Sequence, residues 1–190
     1  MSYAIIQPPF TLQFREMPKA ELKAYYAWFM EGLPDRIAGL EAAVRCTTGY
    51  ETWTADFSPE SLGPLGEWFV TQVEVRPKTS QELEEQRAKL TFPVDIPTEQ
   101  LTNRTFSLAM DIGMYFSQVI LKNLAGTRWE QPLRNANFAD YGQPVVVGSG
   151  SVPLNAVSVV TTVAYGIASK ERNGRRLREL YDIWVKLLRG

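Results

Sequence analysis

Apolar residues recur every three or four positions along much of this chain, which is the spacing of a helix with one buried face. Pro18 suits the first position of a helix running to about Glu31, in which Leu22, Tyr25, Tyr26, Phe29 and Met30 share a face. Gly32 is expected to stop it, and Pro34 to open a second short helix through Ile37, Leu40 and Val44 that Gly49 closes, making a helical hairpin. Residues Tyr50 to Phe57 read as extended. Ser58-Pro59-Glu60 then supplies a cap hydroxyl, an N1 proline and a first-turn acid, with Leu62, Leu65, Trp68 and Phe69 as the buried stripe. Gly63, Pro64 and Gly66 predict that this helix is short or irregular.

Thr79 and Glu82 stand at capping-box spacing ahead of a highly charged, solvated helix. Pro93 and Pro97 mark a connector. The strongest helical periodicity follows, from Leu101 through Leu108, Ile112, Tyr115, Phe116 and Val119 to Ile120, and predicts a central helix that ends before Gly126. Thr127–Glu130 and Pro144–Val147 then have strand character. Val157–Ala168 reads either way: its valines and threonines favour a strand, whereas its length and the Asn155 cap favour a buried helix. A last helix is expected from about Arg175 to Leu188. The expected fold is α+β, a mostly helical single domain over residues 1–190 with a small antiparallel sheet in the C-terminal half.

Composition narrows the chemistry. Among 190 residues there is no histidine, which excludes Ser-His and Cys-His nucleophiles, a His-Glu-x-x-His zinc site and a histidine pH switch. Cys46 is the only cysteine, so no intrachain disulfide or CxxC pair forms, and a reducing, cytoplasmic setting is expected. Met1 to Phe10 lacks a basic start and is broken by Pro8 and Pro9, unlike a signal peptide. No apolar run is long enough for a membrane span. No cofactor and no metal site is expected.

The net charge of -1 hides a polarity, because residues 1–100 carry 15 acidic and 9 basic side chains, whereas residues 101–190 carry 6 and 11. Overall balance disfavours a dedicated nucleic-acid binder. The basic group Lys170, Arg172, Arg175, Arg176 and Arg178 reads as a solvated turn and helix face. Gly148-Ser149-Gly150 lacks the remaining residues of a phosphate loop or a nucleophile elbow and reads as a tight turn.

Two sets of residues stand out as candidates. Trp53 and Trp129 lie outside the predicted helix faces and suit exposed anchors, and Asp56, Glu82, Glu84 and Glu85 supply a candidate acidic surface. The alternative is a pocket formed by Asp111, Tyr115 and Tyr141. Asp111 lies on the best apolar helix, where a carboxylate requires a hydrogen-bonding or cationic partner.

Several of these residues recur in a recognisable order: Pro18-Lys19, Lys23, Tyr25, Trp28-Phe29, Pro34-x-Arg36-Ile37, Ser58-Pro59-Glu60-Ser61-Leu62 and Trp68-Phe69 in the first part of the chain. Asp111-Ile112-Gly113-Met114-Tyr115-Phe116, Trp129, Gln143-Pro144-Val145 and Leu180-Tyr181-x-x-Trp184 complete it. This order resembles that of a family of small, largely uncharacterised bacterial cytoplasmic proteins, over most of the chain. The resemblance implies no particular activity, and small bacterial proteins of this composition include immunity-like and antitoxin-like binders. The leading expectation is therefore a non-enzymatic cytoplasmic binding protein, an immunity-like partner of a basic toxin or enzyme. The alternative is a histidine-independent enzyme using Asp, Tyr and Arg groups around Asp111.

Overall fold

In the computed structural model, which describes residues 3–90, 92 and 94–190, the first helical segment runs without a break. Leu22, Tyr25, Phe29, Leu33, Ile37, Leu40 and Val44 are all buried, at steps of three or four residues that do not change phase across Gly32 and Pro34. The expected hairpin is instead one helix, α1 (Lys19–Arg45). An interior proline costs about 3 kcal/mol. Keeping Ile37, Leu40 and Val44 in the same buried stripe offsets it, since each is worth about 1.5–3 kcal/mol when fully buried.

Residues Tyr50 to Phe57 form turns and irregular backbone, not a strand. At Ser58 the side chain accepts the Ser61 N–H, and a 3-10 turn (Pro59–Ser61) leads into α2 (Leu62–Gln72). The capping box is present at the start of α3 (Ser80–Ala88), where Thr79 accepts from the Glu82 N–H and Glu82 accepts from the Thr79 N–H. Pro93 lies outside the described residues, as does Met1.

Thr102 caps α4 (Asn103–Asn123), which is the centre of the molecule. From Thr105 to Ile120 its buried residues cover every side of the helix, so it is enclosed rather than merely amphipathic. The segment with two readings is a helix, α5 (Ala156–Ala168), with the Asn155 side chain accepting the Ser158 N–H. It lies so close to α4 that a Cβ on Gly113 would fall 2.8 Å from the Val157 Cα. The chain closes with α6 (Arg176–Arg189), which buries Leu177, Leu180, Tyr181 and Leu188.

Among the described residues two antiparallel ribbons accompany the helices. In the C-terminal half β3 (Arg128–Glu130) pairs with β4 (Val145–Val147), Trp129 opposite Val146. Earlier, β1 (Val75–Pro77) pairs with β2 (Glu99–Leu101), Arg76 opposite Gln100, and α3 lies in the excursion between them. Three residues are too few to show a period of two, which is why this ribbon has no signature in the sequence. The fold is thus α+β and mostly helical, nearly all of its buried apolar side chains forming one cluster from Met17 to Leu188. Among the described residues no helix is long and apolar enough to cross a membrane.

Candidate functional site

Asp111 is completely buried on α4, and α1 supplies its counter-charge. Arg36 donates from Nε to Oδ1 at 2.8 Å and from Nη2 to Oδ2 at 2.6 Å, a two-pronged pairing that holds both side chains in orientation. The Tyr3 hydroxyl donates to the same Oδ2. One turn before Asp111, Ser107 Oγ accepts the Ile6 N–H at 2.8 Å, and Arg36 Nη1 donates to the Ala4 carbonyl at 3.0 Å. The cluster therefore fastens the N-terminal segment, α1 and α4 to one another.

Burial pushes the Asp111 carboxyl above its ordinary value, against the pull of the Arg36 and Tyr3 hydrogen bonds. Burial, reinforced by the Asp111 charge, also drives the Tyr3 hydroxyl up. For Arg36 burial works against the charge, but the hydrogen bond and charge of Asp111 outweigh it and hold the guanidinium above its ordinary pKa. Both carboxylate oxygens accept hydrogen bonds, and the arrangement locks the helices together. Composition alone does not single out Arg36 as the partner. Its place next to Ile37, on the margin of the buried stripe, is the signal that marks it.

Tyr115 belongs to a different cluster from Asp111. Its hydroxyl lies 2.7 Å from Ser61 Oγ and accepts the Phe57 N–H at 3.0 Å, and its ring stands edge-on to Trp53 at 5.5 Å. Trp53 is only 7% exposed, with Nε1 donating to the Ser61 carbonyl at 3.1 Å. It is a core residue and not an exposed anchor, because its indole N–H found a buried acceptor. Trp129 is half-buried and edge-on to Phe29 at 5.8 Å, so it too packs against the core. Tyr141 is buried and borders a surface hollow with Phe14 and Lys89. Asp111 and Tyr115 thus have separate partners, and the three residues of the expected pocket do not join in one constellation.

The acidic candidates divide as well. Glu82 is fully engaged: Arg76 donates to it at 2.9 and 2.6 Å, Gln100 at 2.8 Å and the Thr79 N–H at 2.8 Å. These bonds, that from Arg76 foremost, hold its carboxyl far below the usual carboxylate range. Glu82 therefore binds α3 to the β1–β2 ribbon and is not free to meet a partner. Asp56 is exposed and accepts the Ser58 N–H at 2.8 Å. Glu84 and Glu85 are exposed, Glu85 accepting from Gln81 at 2.8 Å. No residue of α3 is buried, and beyond it Phe92 is 74% and Val94 63% exposed.

In the C-terminal half, Arg176 pairs with Glu179 at 3.2 Å and Arg178 with Asp182 at 2.7 Å, so part of the basic group is neutralised locally. Gly150 donates its N–H to the Leu188 carbonyl at 2.9 Å, and a Cβ there would fall 1.9 Å from the Leu187 carbonyl oxygen. The Gly148–Gly150 turn thus satisfies the open end of α6, a role the glycine spacing did not reveal. Cys46 is exposed at the end of α1. Comparison with protein families, with curated proteins and with solved structures finds no match to this chain.

Proposed function

We propose that this is a cytoplasmic protein-binding molecule, an immunity-like partner that neutralises a basic protein, and that α3 with Phe92 and Val94, between β1 and β2, makes the contact. One observation carries the reading: no residue of α3 is fully buried, yet its root is fixed by the bonds of Glu82 to Arg76 and Gln100. A solvated helix with no core role is marginal by itself. Pinning it to a ribbon presents its surface in a set orientation, which lowers the ordering cost of association.

On that surface Glu84 and Glu85, beside the exposed Arg87 and Lys89, offer acidic contacts to a basic partner, next to an apolar contact. Glu84 and Glu85 supply charge that speeds encounter, and Phe92 and Val94 supply surface to bury once the partner has docked. The balanced net charge argues for a protein over a nucleic acid. The test is photo-crosslinking from p-benzoylphenylalanine at position 92 in the source cell. The expected result is an adduct with one basic protein, formed more slowly at high salt and lost in the Glu84→Lys, Glu85→Lys variant. An adduct indifferent to that double reversal, or no protein adduct at all, refutes the reading.

A further inference from the structure

The ribbon at the root of the excursion carries backbone groups that its own pairing leaves unused. Arg76 stands opposite Gln100, the Lys78 N–H donates to Thr98 O at 2.8 Å, and the Thr102 N–H donates to Glu74 O at 3.0 Å. The even-numbered residues therefore direct their N–H and C=O groups across the ribbon, and the alternation of an antiparallel ladder turns those of Val75, Pro77, Glu99 and Leu101 outward. The two outer edges are unequal. β1 carries Pro77, which has no N–H and blunts its edge. β2 pairs with β1 alone, and the outward N–H and C=O of Glu99 meet no partner among the described residues.

Between the ribbon and α5 lies a hollow of about 380 Å³, lined by Glu99 and Gln100 of β2, by Val75 of β1 and, on the opposite wall, by α5. On that wall Tyr165 is 45% exposed, and Phe106 stands edge-on to it at 6.3 Å. Glu99 and Glu171 border the hollow, both exposed, and neither forms an ion pair among the described residues. Arg172 is the one cation on its lining among the described residues, with its stem against Gly166. An open strand edge, an aromatic wall and two such carboxylates are the parts that recognise an extended peptide with a basic side chain: the edge binds its backbone, and alternate side chains are read by what lies beside the edge.

Resting on the reading of the protein as a protein binder, we propose that the outer edge of β2 takes up an extended segment of the partner by strand addition. A lysine or arginine of that segment meets Glu99 and Glu171, and an apolar neighbour lies on Tyr165. The guanidinium of Arg172 donates to carbonyl groups of the added strand.

The experiment places p-benzoylphenylalanine at position 165 and, separately, at position 92. The expected result is the same protein in both adducts, cross-linked from position 165 within a few residues of a lysine or arginine. With the purified complex, Glu99→Pro, which removes the outward N–H and the charge together, is expected to weaken binding at least tenfold without changing the melting temperature. Glu99→Gln with Glu171→Gln leaves the backbone intact and is expected to weaken it about threefold. If Glu99→Pro impairs folding, the glutamine pair decides, and a loss smaller than about 1.5-fold in Kd overturns the proposal. Partner adducts from 92 with none from 165, or full affinity in the Glu99 variants, overturn the strand-edge site and leave the binder reading standing. Nucleic acid or a second copy of this chain captured from 165 also overturns it, and no protein adduct from either position overturns both.

Discussion

Arg36 and Asp111, 75 residues apart in sequence, join α1 to α4 through two parallel hydrogen bonds of 2.8 and 2.6 Å. Because Asp111 has no contact with solvent and Arg36 little, the pair matters more for what its loss exposes than for what its presence adds.

Asp111→Asn is therefore expected to destabilise the protein by roughly 3 kcal/mol, since it leaves a cation in the helix seam without its counter-charge. Arg36→Ala is expected to cost about as much. The joint replacement Arg36→Met, Asp111→Leu is expected to recover most of the loss, because an apolar pair needs no compensation there. Urea unfolding of the two single variants and the double variant measures the difference.

Alkali is expected to unfold the protein through its buried tyrosines. Burial raises the Tyr25 hydroxyl and, together with Asp111, that of Tyr3. Their pKa in the folded state lies above the unfolded value of about 10. The unfolded chain then loses these protons first, so stability is unaffected well below pH 10 and falls as the pH rises past it. Tyrosinate absorbance from these residues should appear only together with loss of helical circular dichroism, and Tyr25→Phe should move the alkaline midpoint upward.

In acid the sign is opposite for Glu82. Its carboxyl is depressed by Arg76, so the stability it contributes is complete above an unfolded pKa of about 4.3 and declines as the pH falls toward the folded value. Glu82→Gln should flatten the acid limb of the stability curve. Hydrogen exchange should at the same time show faster opening of α3, while α4 keeps its protection.

Glycine substitutions are expected to split by position. Gly39 lies within α1, and a Cβ there would meet nothing within 4 Å, so Gly39→Ala should stabilise by roughly 0.5–1 kcal/mol. Gly150→Ala places a methyl group on the Leu187 carbonyl oxygen and should destabilise by about 1–3 kcal/mol. Thermal melts of the two variants should move in opposite directions.

Sequence alone determined the features set by neighbours along the chain. The Ser58 and Thr79 caps, the central helix, the strand character of the β3 and β4 segments and the exposure of Glu84 and Glu85 all follow from residue types and spacing within a few residues. The spacing of Thr79 and Glu82 marked the capping box, whereas Glu82 itself was expected in a binding role from its charge. Only the tertiary structure decided that α1 runs through Pro34, since the cost of the proline is local but the burial that offsets it comes from α4 and the core. It likewise decided that Trp53 is buried, that Arg36 is the partner of Asp111, and that β1 meets β2. In each case the deciding interaction joins residues far apart in sequence, and local spacing carries no record of which distant surface a side chain will meet.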